Sequence, residues 1–212
     1  MAVVTDKFIF AHIPKTGGQF VRHVIEMLRI EHREVGKYHS MPNSALRTGV
    51  SLPSMITVRH PVTWYQSRWY HRIRHGWPPQ NPIDWECASN DFNQFVLSMI
   101  EYDPNGRLCS IINSFLESKN RFNYDVKWVL KNERLTQELY NLLRELDYKF
   151  DKDRYFNLRK INVSGNKGAS SGDFAVYRPD VLEKLLEHES WVINRFYDGI
   201  TDPNALSDQL VL

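Results

Sequence analysis

Short apolar runs alternate with helical patterns along most of the chain. The first apolar run, residues 8–13, has the length of a buried strand and ends at Pro14. A polar turn follows at residues 15–18, with the sequence KTGG, and residues 20–28 then place apolar side chains on one helical face. This succession predicts a strand, a glycine turn and a helix.

The same succession occurs a second time. Residues 54–58, SMITV, are rich in β-formers, and they are followed by Arg59, His60 and Pro61. Because proline suits the first turn of a helix, residues 62–74 are predicted to be an aromatic, basic helix. Two strand–helix units of this kind indicate a parallel sheet with crossover helices.

The hydrophobic pattern of the rest of the chain also predicts both helices and strands, which indicates an α/β protein. It predicts helices over residues 91–99, 107–117, 133–146 and 179–196, a third strand over 126–130, and loops over 75–89 and 156–172. Residues 30–52 are predicted to be a polar crossover segment with room for a short helix. From about residue 199 we expect a weakly ordered tail. With no internal repeat and no linker of domain size, residues 1–212 are predicted to form one domain.

Hydrophobic content, net charge and cysteine count limit the classes of protein to which this chain can belong. The 212 residues are 42% hydrophobic, which is enough for a substantial core, and the net charge of only +2 does not indicate a strongly basic nucleic-acid protein. The two cysteines, Cys87 and Cys109, lack metal-ligand spacing. We expect two unpaired thiols in a reducing compartment, with a single disulfide as the alternative.

The glycine turn has the chemistry of an anion site. A strand, a glycine turn and a helix point backbone N–H groups at an anion, and Lys15 adds a positive charge. Gly17 and Gly18 would let the backbone approach a phosphate closely. The alternatives are a plain tight connection and a nucleoside-triphosphate P-loop. The second is disfavoured because G-x-x-x-x-G-K-[ST] has its lysine after the glycines, whereas Lys15 precedes them.

Residues 12–18, HIPKTGG, followed by an apolar helix, resemble the loop that binds the 5′-phosphosulfate in sulfotransferases that use 3′-phosphoadenosine 5′-phosphosulfate (PAPS). Within that superfamily the loop is similar to the carbohydrate-type branch. The resemblance implies that this loop and the start of the helix bind the donor, through Lys15, Thr16, Gly17, Gly18, Gln19 and Phe20.

A second motif supports the resemblance. In RHPVTWYQSRWY, Arg59 follows a strand and Ser67 lies eight residues later, and in the family this pair holds the 3′-phosphate of the nucleotide. The chemistry fits, because arginine offers a bidentate fork and serine a short hydroxyl donor. Two helical turns would return Ser67 to the side that Arg59 adjoins.

Candidate catalytic residues follow from the same resemblance. His39 lies between the two motifs, where related enzymes often have a histidine, and imidazole accepts a proton near neutral pH. A surface or packed histidine is the alternative. His12 is the next candidate base, although it would equally serve to shape the loop. Lys15 would stabilise the sulfuryl group and the leaving oxygen.

Two later segments resemble the family more loosely. Glu133 matches a position often written E-x-L, but helix capping near Asn132 explains it equally well. In NVSGNKG, residues 162–168, the resemblance implies a loop that closes over the cofactor. Its candidate binding residues are Ser164, Lys167 and Gly168, and a plain turn is the alternative.

The basic helix at residues 62–74 allows another function. Arg68, Arg72 and Arg74 are interleaved with tryptophan and tyrosine, as in nucleic-acid binding sites, but no second stretch of similar density supports that function. A polyanionic glycan would use the same side chains. Trp77 and Trp85, in the following Trp-Pro loop, would either stack on an acceptor ring or pack beneath the loop.

The resemblance as a whole implies a three-layer, P-loop-like sulfotransferase fold with a central, mainly parallel sheet flanked by helices. The implied activity is metal-free sulfuryl transfer from PAPS to an acceptor hydroxyl, possibly on a glycan, with release of adenosine 3′,5′-bisphosphate. Without a visible signal or an apolar run of about 20 residues, and with Met1 opening the chain, we expect a cytoplasmic bacterial or viral enzyme. The alternatives are a nucleotide kinase of related fold and a non-catalytic nucleotide- or glycan-binding protein.

Overall fold

The computed structural model describes residues 2–36, 51–122, 126–158 and 175–206. Their strands are β1 (Ala2–Thr5), β2 (Ile9–Ala11), β3 (His32–Val35), β4 (Ser54–Val58) and β5 (Val126–Lys131). Their α-helices are α1 (Gly18–Met27), α2 (Pro61–His75), α3 (Pro82–Glu86), α4 (Phe92–Tyr102), α5 (Arg107–Phe122), α6 (Leu135–Glu145), α7 (Lys152–Phe156), α8 (Pro179–His188) and α9 (Ser190–Phe196). Single 3₁₀ turns occupy Asn132–Arg134 and Pro203–Leu206.

The strands form one five-stranded sheet in the order β3-β1-β2-β4-β5. β2, β4 and β5 are parallel to one another, whereas β1 is antiparallel to both of its neighbours. The α/β class predicted from the sequence is confirmed. The sheet, however, is mixed rather than mainly parallel, because β1 and β3 add an antiparallel half.

The two added strands differ in their sequence signal. β1 has the sequence AVVT with all four residues buried, and it is joined to β2 by a tight turn in which the Thr5 hydroxyl donates to the Phe8 carbonyl at 3.0 Å. β3 has the sequence HREV, with its first three residues exposed. A polar edge strand has no buried face and therefore no alternation of apolar residues for the sequence to display.

The sheet belongs to the first of two compact units of the chain. This unit contains the described residues from Met1 to Arg59 and from Ile112 to Val163. On one face of the sheet, Phe10 and Met55 pack with the apolar sides of α1, α6 and α7. On the other face, Ala2, Val4 and Ile9 form a smaller cluster. Alternate residues of each short strand therefore serve opposite faces.

The second unit contains the described residues from His60 to Ile111 and from Ser164 to Asp208. It is helical, and a buried carboxylate ties its elements together. Glu189 accepts hydrogen bonds from the backbone N–H groups of Leu108 and Cys109, at 2.8 and 2.9 Å, and from the Tyr65 hydroxyl at 2.8 Å. The carboxylate thus satisfies N–H groups in the first turn of α5 that have no partner within the helix.

The helix predicted over residues 179–196 is two helices, because the chain turns at Glu189 to send that carboxylate inward. Gly106 has a φ of +86°, and a Cβ there would lie 2.4 Å from the carbonyl oxygen of His188. Only glycine fits this left-handed, crowded position without displacing the chain. Packing around Glu189 therefore determines where α8 ends and α9 begins.

One other prediction needs correction. Residues 75–89 were expected to be a loop, but they contain the short helix α3, capped by the Asn81 side chain at the Asp84 N–H. The described part of the expected tail ends in a 3₁₀ turn in which Leu206 is buried. Within the described ranges, no helix is long and apolar enough to cross a bilayer. Cys87 and Cys109 are both buried and form no disulfide, as predicted.

Candidate functional site

The candidate site lies at the carboxyl ends of β2, β4 and β5. Since these three neighbouring strands are parallel, the segments that follow them meet at one edge of the sheet. β2 leads into the loop of residues 12–17, β4 leads to Arg59, and β5 leads to Asn132. All three segments belong to the first unit.

The loop adopts an unusual backbone that its sequence explains only in part. Lys15 has a φ of +66° and Gly17 a φ of +92°. The left-handed region is costly for lysine, so the surrounding contacts must maintain it. Gly17 is the N-cap of α1, and its carbonyl accepts from the Phe20 N–H at 2.9 Å. The first N–H groups of α1 therefore lie at the end of the loop, in a turn without acidic residues.

Thr16 fixes the loop to the sheet. Its buried hydroxyl donates to the Ile13 carbonyl at 2.7 Å and lies 2.7 Å from the Thr57 hydroxyl of β4. With the Thr16 proton directed to Ile13, Thr57 acts as the donor in the second bond. Thr16, predicted to bind the cofactor, thus has its hydroxyl engaged within the protein. Its backbone N–H is the group left for a ligand role.

Arg59 reaches the loop from the end of β4. Its Nη1 donates to the carbonyl of Lys15 at 3.4 Å, and the residue is half-buried. This contact brings together the leading residues of the two sequence motifs, and it supports the left-handed Lys15. Two cationic side chains therefore occur at one short loop. Such a combination favours an anionic ligand.

The two glycines of the loop are required by protein contacts. A Cβ at Gly18 would lie 2.0 Å from Cδ2 of His12, and one at Gly17 would lie 2.4 Å from Nδ2 of Asn132. The sequence attributed both glycines to the close approach of a phosphate. The structure adds a second reason, because the missing Cβ atoms make room for the His12 ring and the Asn132 amide.

His12 is buried, with 4% of its surface exposed. Its ring stacks on Phe10, with centroids 6.0 Å apart and planes 23° apart, and its other side lies against Gly18. A general base must reach the proton that it removes. This packing favours the alternative stated for His12, that of shaping the loop.

Asn132 is the site residue that the sequence did not predict. Helix capping near this position was the alternative explanation for Glu133, but neither the 3₁₀ turn nor α6 has a side-chain cap. The strand end before it is fixed by Glu138, which accepts the Lys131 N–H at 2.6 Å, and burial raises the pKa of this carboxyl. Nothing in the sequence shows that Asn132 meets Gly17, since the contact depends on how β2 and β5 are placed in the sheet.

The remaining predicted residues are distributed over several elements of the chain. Gln19 and Phe20 are half-buried in the first turn of α1, where Phe20 packs against the core. Glu133 is half-buried in the 3₁₀ turn after β5. Ser67 is buried on α2, in the second unit. Four predicted site residues lie outside the described residues: His39, Ser164, Lys167 and Gly168.

The basic helix α2 is largely neutralised within the second unit. Arg68 and Arg72 each form an ion pair with Asp84 of α3, one with each carboxylate oxygen, and Asp84 is fully buried. Burial lowers the pKa of Arg68 below the usual arginine value, while Asp84 opposes that effect. These two arginines hold the second unit together. This arrangement weakens the prediction that they bind nucleic acid or a polyanionic glycan.

The tryptophans of the following segment differ from one another. Trp77 is half-buried against Phe95, with ring centroids 5.6 Å apart, whereas Trp85 is 57% exposed on α3. Only Trp85 keeps the surface that stacking on an acceptor ring would need. In the part of the chain that the structure describes, no group of three or more histidine, cysteine, aspartate or glutamate side chains could hold a metal ion.

Comparison with known proteins yields no assignment. No protein-family model matches the chain, and a search of curated proteins finds no significant match. The functional argument therefore depends on the motifs and on the site geometry.

Proposed function

We propose that this chain is a sulfotransferase that transfers a sulfuryl group from PAPS to an acceptor hydroxyl on a carbohydrate or a related metabolite. The observation that carries the proposal is the contact between Arg59 and the backbone of Lys15. Two motifs 44 positions apart in sequence thereby supply one cationic loop at the carboxyl edge of parallel strands. A three-layer, P-loop-like arrangement is part of the same proposal.

The groups at this edge suit a dianionic ligand. The first N–H groups of α1 and the backbone N–H of Thr16 are neutral donors, while Lys15 and Arg59 carry positive charge. Their proposed ligand is the 5′-phosphosulfate end of the donor. The absence of acidic residues from the first turn of α1 removes a source of repulsion.

The reaction requires positioning and charge stabilisation. Bound PAPS supplies a sulfuryl group whose S–O bond to the 5′-phosphate breaks as the acceptor oxygen attacks sulfur, and adenosine 3′,5′-bisphosphate leaves. The Lys15 ammonium would stabilise the charge that develops on the leaving oxygen. A base must take the acceptor proton, and His39 is proposed for this role, since His12 is packed against the loop.

The burial of His12 also favours a second candidate function. A non-catalytic nucleotide-binding protein would keep the cationic loop and Arg59 but would need no base. Binding alone does not separate this function from the enzyme, so turnover has to be measured.

A transfer assay with ³⁵S-labelled PAPS tests the proposal. The acceptor panel should include oligosaccharides, phenols and amines. We expect labelled product with at least one hydroxyl acceptor and a rate about 100-fold lower for Lys15→Ala, the loss typical of one transition-state contact. Lys149→Ala is the matched control, because Lys149 is highly exposed and pairs only with its neighbour Asp147 in the described structure. Donor binding without transfer to any acceptor would favour the non-catalytic alternative.

A further inference from the structure

The Asn132 side chain lies beside the loop but belongs to neither motif. Its Nδ2 occupies the space that a Cβ of Gly17 would need, so the amide nitrogen packs against the loop backbone. The residue is half-buried, and within the described ranges its side chain has no hydrogen-bond partner. The Asn132 amide therefore faces the loop with two N–H donors that a ligand could use.

The position of this amide is fixed by the fold. Lys131, immediately before it, pairs with Val58 of β4, and its N–H is held by Glu138. The 3₁₀ turn then begins at Asn132. On the loop side, Leu135 also packs within the space of a Gly17 Cβ, at 2.6 Å. The amide is thus held between a strand end and the loop, as a preorganised ligand contact would be.

We propose that the Asn132 side-chain amide donates a hydrogen bond to the anionic group bound at the loop of residues 12–17. This inference rests on the proposed function, because the anion it names is the phosphosulfate end of the donor, or the 5′-phosphate of adenosine 3′,5′-bisphosphate. Asn132 is then a ligand-contacting residue that adds a neutral, directional donor to the charges of Lys15 and Arg59.

Calorimetric titration with two probes tests the assignment. The probes are adenosine 3′,5′-bisphosphate and inorganic pyrophosphate, and the proteins are the wild type, Asn132→Ala and Asn132→Asp. Asn141→Ala and Asn141→Asp are matched controls, because Asn141 is exposed on α6 and bonds to Gln137. The unfolding midpoint of each unliganded protein verifies folding, and Asn132→Ser replaces any variant that does not fold.

We expect Asn132→Ala to weaken both probes by about 10- to 100-fold, the range for a hydrogen bond to a charged group. Asn132→Asp should weaken them further, because its carboxylate repels the anion, while the Asn141 variants should stay within about twofold of wild type. Variants of Asn132 that bind both probes like wild type would overturn the inference and leave the proposed function intact.

The two proposals fail in distinguishable ways. If wild type binds pyrophosphate through Asn132 but does not bind the bisphosphate, the Asn132 assignment holds and the proposed function is wrong. If wild type binds neither probe, both are wrong.

Discussion

Arginine serves opposite purposes in the two units of this molecule. In the first unit, Arg59 is half-buried at a strand end and donates to a loop carbonyl. In the second unit, Arg68 and Arg72 share the buried carboxylate of Asp84. The first arrangement places a guanidinium at the loop that we propose binds an anion, whereas the second pairs both arginines with a carboxylate of the same unit.

The difference shows that a basic stretch of sequence does not by itself indicate an exposed positive surface. Arg68 and Arg72 belong to the densest basic and aromatic stretch of the chain, and their countercharge follows more than ten residues later on a helix that the sequence did not predict. Once Asp84 is in place, the two arginines become part of the core. A cluster of positive residues therefore indicates a polyanion site only after its acidic partners are known.

The largest expected effect is on the buried pairs of the second unit. Asp84→Ala should lower the free energy of unfolding by about 3 to 5 kcal/mol, because it leaves the Arg68 guanidinium buried without a countercharge. Guanidinium-induced unfolding measures the change. Asp180→Ala, which breaks an exposed pair with Arg178 at the start of α8, should lower this free energy far less, because solvent screens the pair. Equal losses for the two variants would contradict the contrast between buried and exposed charges.

The second-largest effect on the free energy of unfolding is expected from removing Glu189, the other buried carboxylate described in the second unit. Glu189→Ala would leave two backbone N–H groups and the Tyr65 hydroxyl without their acceptor, and should cost about 3 kcal/mol. The same unfolding experiment measures it, with the exposed Glu187→Ala as control. A loss below 1 kcal/mol would show that the carboxylate is not the centre of the second unit.

The pH dependence of stability gives a finer test of the same residue. Burial raises the pKa of Glu189 despite its three donors. The folded state then holds this proton more tightly than the unfolded state, whose glutamate has a pKa of about 4.3. The contribution to stability is therefore complete below that value and is lost as pH rises through the folded pKa. The stability of wild type relative to Glu189→Gln should fall as pH rises above the unfolded value of about 4.3; a constant or rising difference would be contrary to the prediction.

The smallest stability effect is expected in the first unit. Arg59→Ala should change the free energy of unfolding by less than about 1 kcal/mol, since the hydrogen bond of Arg59 to the loop is long and the residue stays half-exposed. Its measurement beside Asp84→Ala compares the two kinds of arginine directly. A loss as large as that of Asp84→Ala would mean that Arg59 is also a structural residue.

Local sequence signals predicted the elements that carry their own pattern. β4 occupies the predicted residues 54–58, and α6 buries the leucines expected from its periodicity, such as Leu139 and Leu143. The strand, turn and helix at residues 8–28 were also predicted, because proline and glycine mark their borders. β3 was missed because it is a polar edge strand without a buried face.

The site was predictable only where its residues are consecutive in sequence. The loop around Lys15 was predicted from its own sequence, HIPKTGG, and Arg59 was predicted from its place after a strand. The roles of Gly17 and Gly18 were not, because the side chains that need their missing Cβ atoms come from Asn132 and His12 through the packing of the sheet. Contacts that depend on strand order have no signal in a single sequence.

The central claim is that the loop and Arg59 bind a nucleotide with 3′- and 5′-anionic groups. The most direct test is calorimetric titration of wild type, Arg59→Ala and the exposed control Arg144→Ala with adenosine 3′,5′-bisphosphate and with ATP–Mg²⁺. We predict tight binding of the bisphosphate alone, weakened about 30-fold or more by Arg59→Ala and unchanged by Arg144→Ala. A preference for ATP–Mg²⁺, or bisphosphate binding indifferent to Arg59, would contradict the account and favour the kinase alternative.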